Sequence, residues 1–298
     1  MKNIAFIINP ISGTKQKKRL PKQIDQLLDK QQWAADIVMT EYKGHATELA
    51  AQYAKLGFDA VVAVGGDGTV NEVATGLRHT GTALGIIPIG SGNGFARHLE
   101  IPLRINRAIE LINRSEAITA DYGMLNEQPF FCTCGTGFDA YIADKFAQDG
   151  KRGFSTYLQY ILKDFYNYEP QHYRLRYRKG EEVWHEVETD AFLITFANAN
   201  QWGNAAYIAP KASIQDGLLD IAIMSKFPLT AVPSLALKLF ERKLDNDTYM
   251  NTLQASEVEL TRTEEGPFHF DGDPLNLGKE VNIRIVKDGL RVLVEKRY

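Results

Sequence analysis

Short runs of consecutive apolar residues, separated by longer amphipathic stretches, fill the first part of the chain. The pattern predicts strands buried on both faces with helices between them. The runs lie at 4–8, 36–40, 60–64 and 84–87, and stretches 16–32, 45–56, 70–79 and 104–114 carry apolar positions near helical spacing. Ile24, Leu27 and Leu28 are such positions in the first stretch, where Pro21 leaves the start of the helix open. Gly57 and Gly81 fall where a left-handed residue would close a helix. Regular strand–helix alternation predicts an α/β domain with a parallel sheet.

After Asp121 the texture changes to period-two strands and hairpins, with helices expected at 154–168 and 229–244. Tyr173, Leu175 and Tyr177 alternate with His172, Arg174, Arg176 and Arg178, which predicts a strand with one apolar and one cationic face. Asp288-Gly289 separates the apolar runs 281–286 and 290–294 and reads as a hairpin turn. The expected organisation is an α/β domain over 1–121 and a β-rich sandwich domain over 122–298, with residues from about 290 returning to the first.

The chain has 298 residues, 44% hydrophobic and 24% charged, which is enough for two buried cores and excludes disordered and fibrous classes. A net charge of -3 argues against a phosphate-neutralising nucleic-acid binder. The local cluster Lys15, Lys17, Lys18, Arg19 and Lys22 suits an anionic partner or a solvated face equally. Cys132 and Cys134 are the only cysteines and the six histidines are dispersed, so buried reduced thiols and no catalytic zinc are expected. The opening apolar run is too short for a signal-peptide core, and no stretch approaches the ~20 apolar residues that span a bilayer. The expected location is cytoplasmic, with any membrane contact peripheral.

Gly65-Gly66-Asp67-Gly68-Thr69 directly follows one apolar run and directly precedes a helical pattern. Small residues let backbone amides approach phosphate oxygens, the helix start favours an anion, and Thr69 stands where a cap would. Asp67 would repel phosphate but can hold Mg²⁺ or its waters, which makes a metal–nucleotide complex the expected ligand. Residues 88–94, with Ser91 among them, form a second glycine loop in the same setting, and Asn9-Pro10-Ile11-Ser12-Gly13 ends the first run. Loops at the carboxyl ends of parallel strands gather around one ligand. Later, Asp271-Gly272-Asp273-Pro274 places two carboxylates one residue apart. They lie on one side and share a proton or cation if extended, and a tight surface turn is the plain alternative.

These strings, N-P-x-S-G, G-G-D-G-T-x-N-E and P-x-G-S-G-N, resemble the diacylglycerol kinase catalytic family, which includes bacterial lipid kinases and the sphingosine and ceramide kinases. The resemblance spans nearly the whole chain and implies an N-terminal domain like that of NAD kinase and phosphofructokinase. ATP and Mg²⁺ would be the cofactors, with ATP held by Asn9, Pro10, Ile11, Ser12, Gly13, Thr40, Gly65, Gly66, Asp67, Gly68, Thr69, Asn71 and Ser91. Glu72 completes the motif without an assigned role.

By the same resemblance Asp273, standing where the family has Glu, would accept the proton of a lipid hydroxyl, and Asp271 would support that base or the Mg²⁺ network. The segment 213–220 resembles a family stretch that holds a structural Mg²⁺, which implies Asp216 as side-chain ligand with the carbonyls of Ser213 and Leu218. A plain Asp-Gly turn stays open there. Gly94 stands where many bacterial diacylglycerol kinases carry Asp, which by the same resemblance leans towards a sphingoid or other lipid acceptor.

The implied activity is ATP-dependent phosphorylation of a hydroxyl on a diacylglycerol-type or sphingoid lipid. Its partners are then the membrane lipid and the membrane surface, not nucleic acid, and a homodimer stays open. Tyr157, Leu158 and Tyr160 would either line a lipid slot or belong to the core. The G-G-D-G loop is similar also to that of enzymes acting on soluble substrates, such as NAD kinase. An inactive nucleotide- or lipid-binding module is the remaining alternative, motivated by Gly94 and Asp273.

Overall fold

The computed structural model describes residues 1–10, 19–148, 160 and 163–296. Ile11, Ser12, Gly13, Lys15, Lys17, Lys18, Tyr157 and Leu158 therefore lie outside the described residues, as does much of the helix expected at 154–168. The chain forms two compact units, Met1–Asp121 with Asp288–Tyr298, and Tyr122–Lys287.

In the first unit the apolar runs become β1 (Lys2–Ile8), β2 (Trp33–Met39), β3 (Ala60–Gly65) and β4 (Ala83–Pro88). Between and after them lie α1 (Leu20–Leu27), α2 (His45–Lys55), α3 (Asp67–Leu77), α4 (Gly94–His98) and α5 (Ile105–Asn113). The strands pair in parallel in the order β2-β1-β3-β4. β3 and β4 are buried at every position, as strands covered on both faces must be, whereas β2 exposes part of its length. Pro21 falls in the first turn of α1, where its missing N–H leaves no helical bond unmade. Gly57 closes α2 with φ +76°, but after α3 the left-handed residue is His79, φ +57°, and not Gly81.

The second unit contains α6 (Phe138–Gln148), a helix Val232–Phe240, and two sheets. Its strands, with β5 leading in from the first unit, are β5 (Ser115–Leu125), β6 (Gln128–Phe130), β7 (Thr133–Gly137), β8 (Gln171–Arg178), β9 (His185–Ala191), β10 (Leu193–Ala197) and β11 (Leu219–Met224). They continue with β12 (Met250–Ala255), β13 (Glu257–Arg262), β14 (Gly266–Phe270), β15 (Asp273–Leu277) and β16 (Glu280–Glu295). One sheet is antiparallel throughout, in the order β12-β11-β10-β7-β14-β15, and β9, β8, β13 and the start of β16 form the other.

Tyr173, Phe196, Ile221, Leu260, Phe268 and Ile283, drawn from both sheets, share one buried core. Alternate residues of β10, Leu193 and Ala197, face a second cluster with Phe138, Phe165 and Phe192, against which Tyr160 is half-buried. The result is an α/β parallel-sheet domain followed by a β sandwich, as the patterning predicts.

One local expectation fails. Asp288-Gly289 makes no hairpin, because the flanking runs have other partners. The first part of β16 pairs with β13, while Arg291 and Val292 lie parallel to Ala83 and Leu84 of β4. The left-handed Asp288, φ +51°, instead bends a continuous strand, and its N–H donates to Asp121 Oδ1 at 2.8 Å. On β8 the expected alternation holds, with Tyr173 and Leu175 buried and the basic residues on the other face. Arg174, Arg176 and Arg178 pair with Glu186, Glu259 and Glu257 at 2.7, 2.6 and 2.6 Å.

Asp220 of β11 is half-buried beside the Gln254 amide, and burial pushes its pKa up to about 6. A carboxyl raised in this way folds most easily when neutral, so the contribution to stability is full below about pH 4 and lost as pH rises through about 6. Asp220→Asn is expected to stabilise the fold by about 1–2 kcal/mol at pH 8, after allowance for solvent screening, and to be neutral at pH 4. Urea unfolding at the two pH values checks this.

Candidate functional site

β3 gives way to α3 at Gly66, and β4 to α4 through residues 89–93, so two glycine loops leave adjacent parallel strands side by side. Ile89 N–H donates to Gly65 O at 2.9 Å. The backbones come so close that a Cβ at Gly90 would stand 2.5 Å from Gly66 Cα, and one at Gly66 3.2 Å from Gly90 Cα. Only glycine at both positions permits this approach.

Asp67 links the loops. Its Oδ2 accepts the N–H of Asn93 at 2.8 Å and its Oδ1 the N–H of Gly94 at 2.7 Å. These are charge-assisted bonds, and a carboxylate in the first turn of α3 also suits the helix dipole. Asn93 is left-handed, φ +53°, and ties the loop to itself, accepting from Gly90 N–H at 3.0 Å and donating to Gly90 O at 2.8 Å. Arg97 Nε adds a bond to Gly92 O at 3.0 Å.

Asn9, at the tip of β1, donates its side-chain amide to Thr69 Oγ1 at 3.0 Å, and its N–H to Val64 O at 3.1 Å. Thr69 lies inside the first turn of α3 and accepts from Asn9, so it is no cap; Gly66 occupies the cap position. Thr40, just past β2, is buried with its N–H on Ile8 O at 3.0 Å. Asn9, Thr40, Gly65, Gly66, Asp67 and Thr69 are thus gathered at the carboxyl ends of three parallel strands, β1, β2 and β3. Pro10, Gly68 and Ser91 are exposed, and Asn71 is buried one turn into α3. Ile11, Ser12 and Gly13 lie outside the described residues.

Glu72 has a structural task that the motif did not reveal. Its carboxylate accepts the N–H groups of Gly44 at 3.0 Å and Ala46 at 3.3 Å, and so caps α2. Asn93, the residue that shapes the second loop, was quoted in its motif but given no role.

In the second unit, Asp271-Gly272 joins β14 to β15 with φ values of +46° and +88°, the pattern of a type I′ hairpin turn. The pair of carboxylates therefore does not sit on an extended segment. Asp271 Oδ2 accepts Phe131 N–H at 2.9 Å, and Oδ1 accepts Cys132 N–H at 2.8 Å and Thr133 N–H at 3.2 Å. Asp271 N–H returns a bond to Thr133 O at 2.8 Å. Its carboxylate thus fastens the turn to the start of β7. Asp273 opens β15, half-buried and opposite Phe270. Cys134 of β7 is buried, and burial together with the charges of Asp271 and Asp139 pushes its thiol well above the usual range, so it is no nucleophile.

The segment 213–218 does not fit a structural metal. Asp216 is exposed and its Oδ1 accepts Leu218 N–H at 3.0 Å, an Asp-Gly turn with Gly217 at φ +72°. The Lys287 side chain occupies the space that a side chain at Gly217 would take. A single exposed carboxylate is a poor set for Mg²⁺. Among the described residues no group of three or more His, Cys, Asp or Glu is arranged to hold a metal.

Comparison with known proteins bears on the whole chain. Residues 3–125 match the diacylglycerol kinase catalytic domain, and residues 132–294 match the YegS C-terminal NAD kinase beta sandwich-like domain. The chain is 31% identical over 275 residues to "Probable lipid kinase YegS" of Escherichia coli O127:H6, covering 89% of this chain and 88% of that one. It is 31% identical over 237 residues to "Probable lipid kinase YegS-like" of Chromohalobacter salexigens, covering 78% and 75%. A solved diacylglycerol kinase structure from Bacillus anthracis str. Sterne has the same fold, with TM-score 0.73 at 22% identity over 98% of this chain and 96% of that one. A second structure from that organism gives TM-score 0.78 at 24% identity over 98% and 97%.

Because Glu72 caps α2, Glu72→Ala is expected to lower unfolding stability by about 1–2 kcal/mol. Chemical denaturation checks the size of the loss, and Glu72→Gln, which retains one acceptor oxygen, should recover part of it.

Proposed function

This chain belongs to the lipid kinase family that joins a diacylglycerol kinase catalytic domain to a YegS-type β sandwich, and we propose that it transfers the γ-phosphoryl group of ATP to a hydroxyl of a membrane lipid. The observation that carries the proposal is the Asp67 bridge, which holds the second glycine loop against the start of α3. First-turn amides of a helix have no carbonyl partner within it, and at α3 they stand ready for phosphate oxygens.

In the proposed reaction the lipid hydroxyl oxygen attacks the γ-phosphorus, the bond to the β,γ-bridging oxygen breaks, and ADP leaves. The hydroxyl proton passes to Asp273, whose turn is anchored by Asp271. Asp67, at the start of α3 between the two glycine loops, would hold a Mg²⁺ through its water shell. Such an ion supplies charge neutralisation at the phosphates when bound. Gly94 contributes its amide and no carboxylate to this loop, which favours a sphingoid acceptor over diacylglycerol.

Peripheral contact with the bilayer belongs to the same proposal. No helix among the described residues is long and apolar enough to cross a membrane. Leu237 and Phe240, on the helix Val232–Phe240, are 59% and 52% exposed and offer an apolar face. A soluble acceptor is the second reading, supported by the likeness of the second domain to the NAD kinase β sandwich.

The test offers γ-labelled ATP with diacylglycerol, a sphingoid base, ceramide, monoacylglycerol, phosphatidylglycerol and NAD. Label is expected in a lipid, and Asp67→Ala and Asp273→Ala should each lower kcat by about 10²-fold or more. Label in NAD alone, or in no acceptor, would overturn the proposal, and full activity in Asp273→Ala would remove that residue as the base.

A further inference from the structure

Beneath the acidic turn lies a buried pair that the proposed chemistry does not use. His269 Nε2 of β14 is 2.9 Å from Asp139 Oδ2 in the first turn of α6, and the two side chains are only 7% and 9% exposed. A carboxylate can only accept, so Nε2 carries the hydrogen. The other oxygen, Asp139 Oδ1, accepts Ala140 N–H at 2.9 Å. His269 Nδ1 is buried and has no hydrogen-bond partner among the described residues.

The sheet makes room for this pair. Gly135 of β7 lies opposite His269 on one side and Thr195 of β10 on the other, in the middle of the six-stranded sheet. A Cβ there would stand 2.8 Å from Ile194 O, 2.9 Å from His269 Nε2 and 3.1 Å from Asp139 Oδ2. Glycine weakens a strand interior, and a buried polar pair satisfied at one end stabilises no better than two apolar side chains of the same shape. A sheet selected for stability alone would not accept both. What the pair does supply is direction, because it ties β14 to α6 two residues before Asp271.

We infer that His269 and Asp139 are positioning residues that set the place of Asp273, an inference that rests on reading Asp273 as the base. β14 is held at two points. Asp271 fixes its tip to the amides of 131–133, and His269 fixes the residue two positions earlier to α6. Phe270 is thereby clamped between them, and Asp273, which pairs with Phe270, inherits its position. A base must come within hydrogen-bond distance of its proton, and a displacement of about 1 Å costs on the order of 10²-fold in rate.

The full-length protein is assayed for kcat, for KM with ATP and with the labelled lipid, and for thermal unfolding. His269→Leu should lower kcat about 10- to 100-fold with KM for ATP unchanged. His269→Gln, whose amide N–H can still reach Asp139, should return kcat to within about threefold of the parent. Should His269→Leu not fold, the double change Asp139→Leu/His269→Leu removes both polar groups from the buried site and should show the same fall in kcat.

A drop in unfolding temperature with kcat of the folded protein unchanged would reduce the pair to a structural element and overturn the inference. Failure of His269→Gln to rescue would do the same. Unchanged turnover in Asp273→Ala would instead remove the base itself, a failure distinguishable because it does not involve His269.

Discussion

A single carboxylate, that of Asp67, holds two glycine loops together. Fixing a backbone residue costs roughly 1–2 kcal/mol, and loops rich in glycine start from the most freedom. Two charge-assisted bonds to the consecutive amides of Asn93 and Gly94, each of about 1.5–3 kcal/mol, are of the right size to offset that cost. With the loops held, Gly66 and Gly90 can lie in backbone contact. The nucleotide reading depends on this arrangement.

The second unit repeats the device in antiparallel form. Asp271 gathers three amides at the start of β7, and the left-handed backbone of Asp271 and Gly272 returns the chain so that Asp273 opens the next strand. In both units a carboxylate first organises main chain, and the chemistry proposed rests on that order. The two short acidic motifs therefore carry more structural than catalytic content, Glu72 being the clearest case because its role is to cap α2.

The parts that were legible in the sequence are those whose cause is local. Strand, glycine loop and helix follow one another within about ten residues, so the parallel sheet, the loops at its strand ends and the β-rich second half could all be read from spacing. Where the cause is distant the reading failed or fell silent. Asp288-Gly289 has the local chemistry of a hairpin, but β13 and β4 claim its two flanks and turn it into a bend. The two faces of β8 were legible, but not the glutamates of β9 and β13 that pair with its arginines. For the segment 213–218 the sequence left both a metal site and a plain Asp-Gly turn open, and Asp216 makes that turn by accepting Leu218 N–H. His269 and Asp139 carry no motif, and only the sheet brings them together.

Hydrogen exchange of individual backbone amides, followed by NMR in protein without nucleotide, tests the Asp67 bridge most directly. The account predicts that the amides of Asn93 and Gly94 exchange at least about tenfold more slowly than unprotected loop amides. In Asp67→Ala that protection should vanish while the amides of β3 and β4 keep theirs. Exchange of Asn93 and Gly94 at unprotected rates in the parent protein would contradict the account.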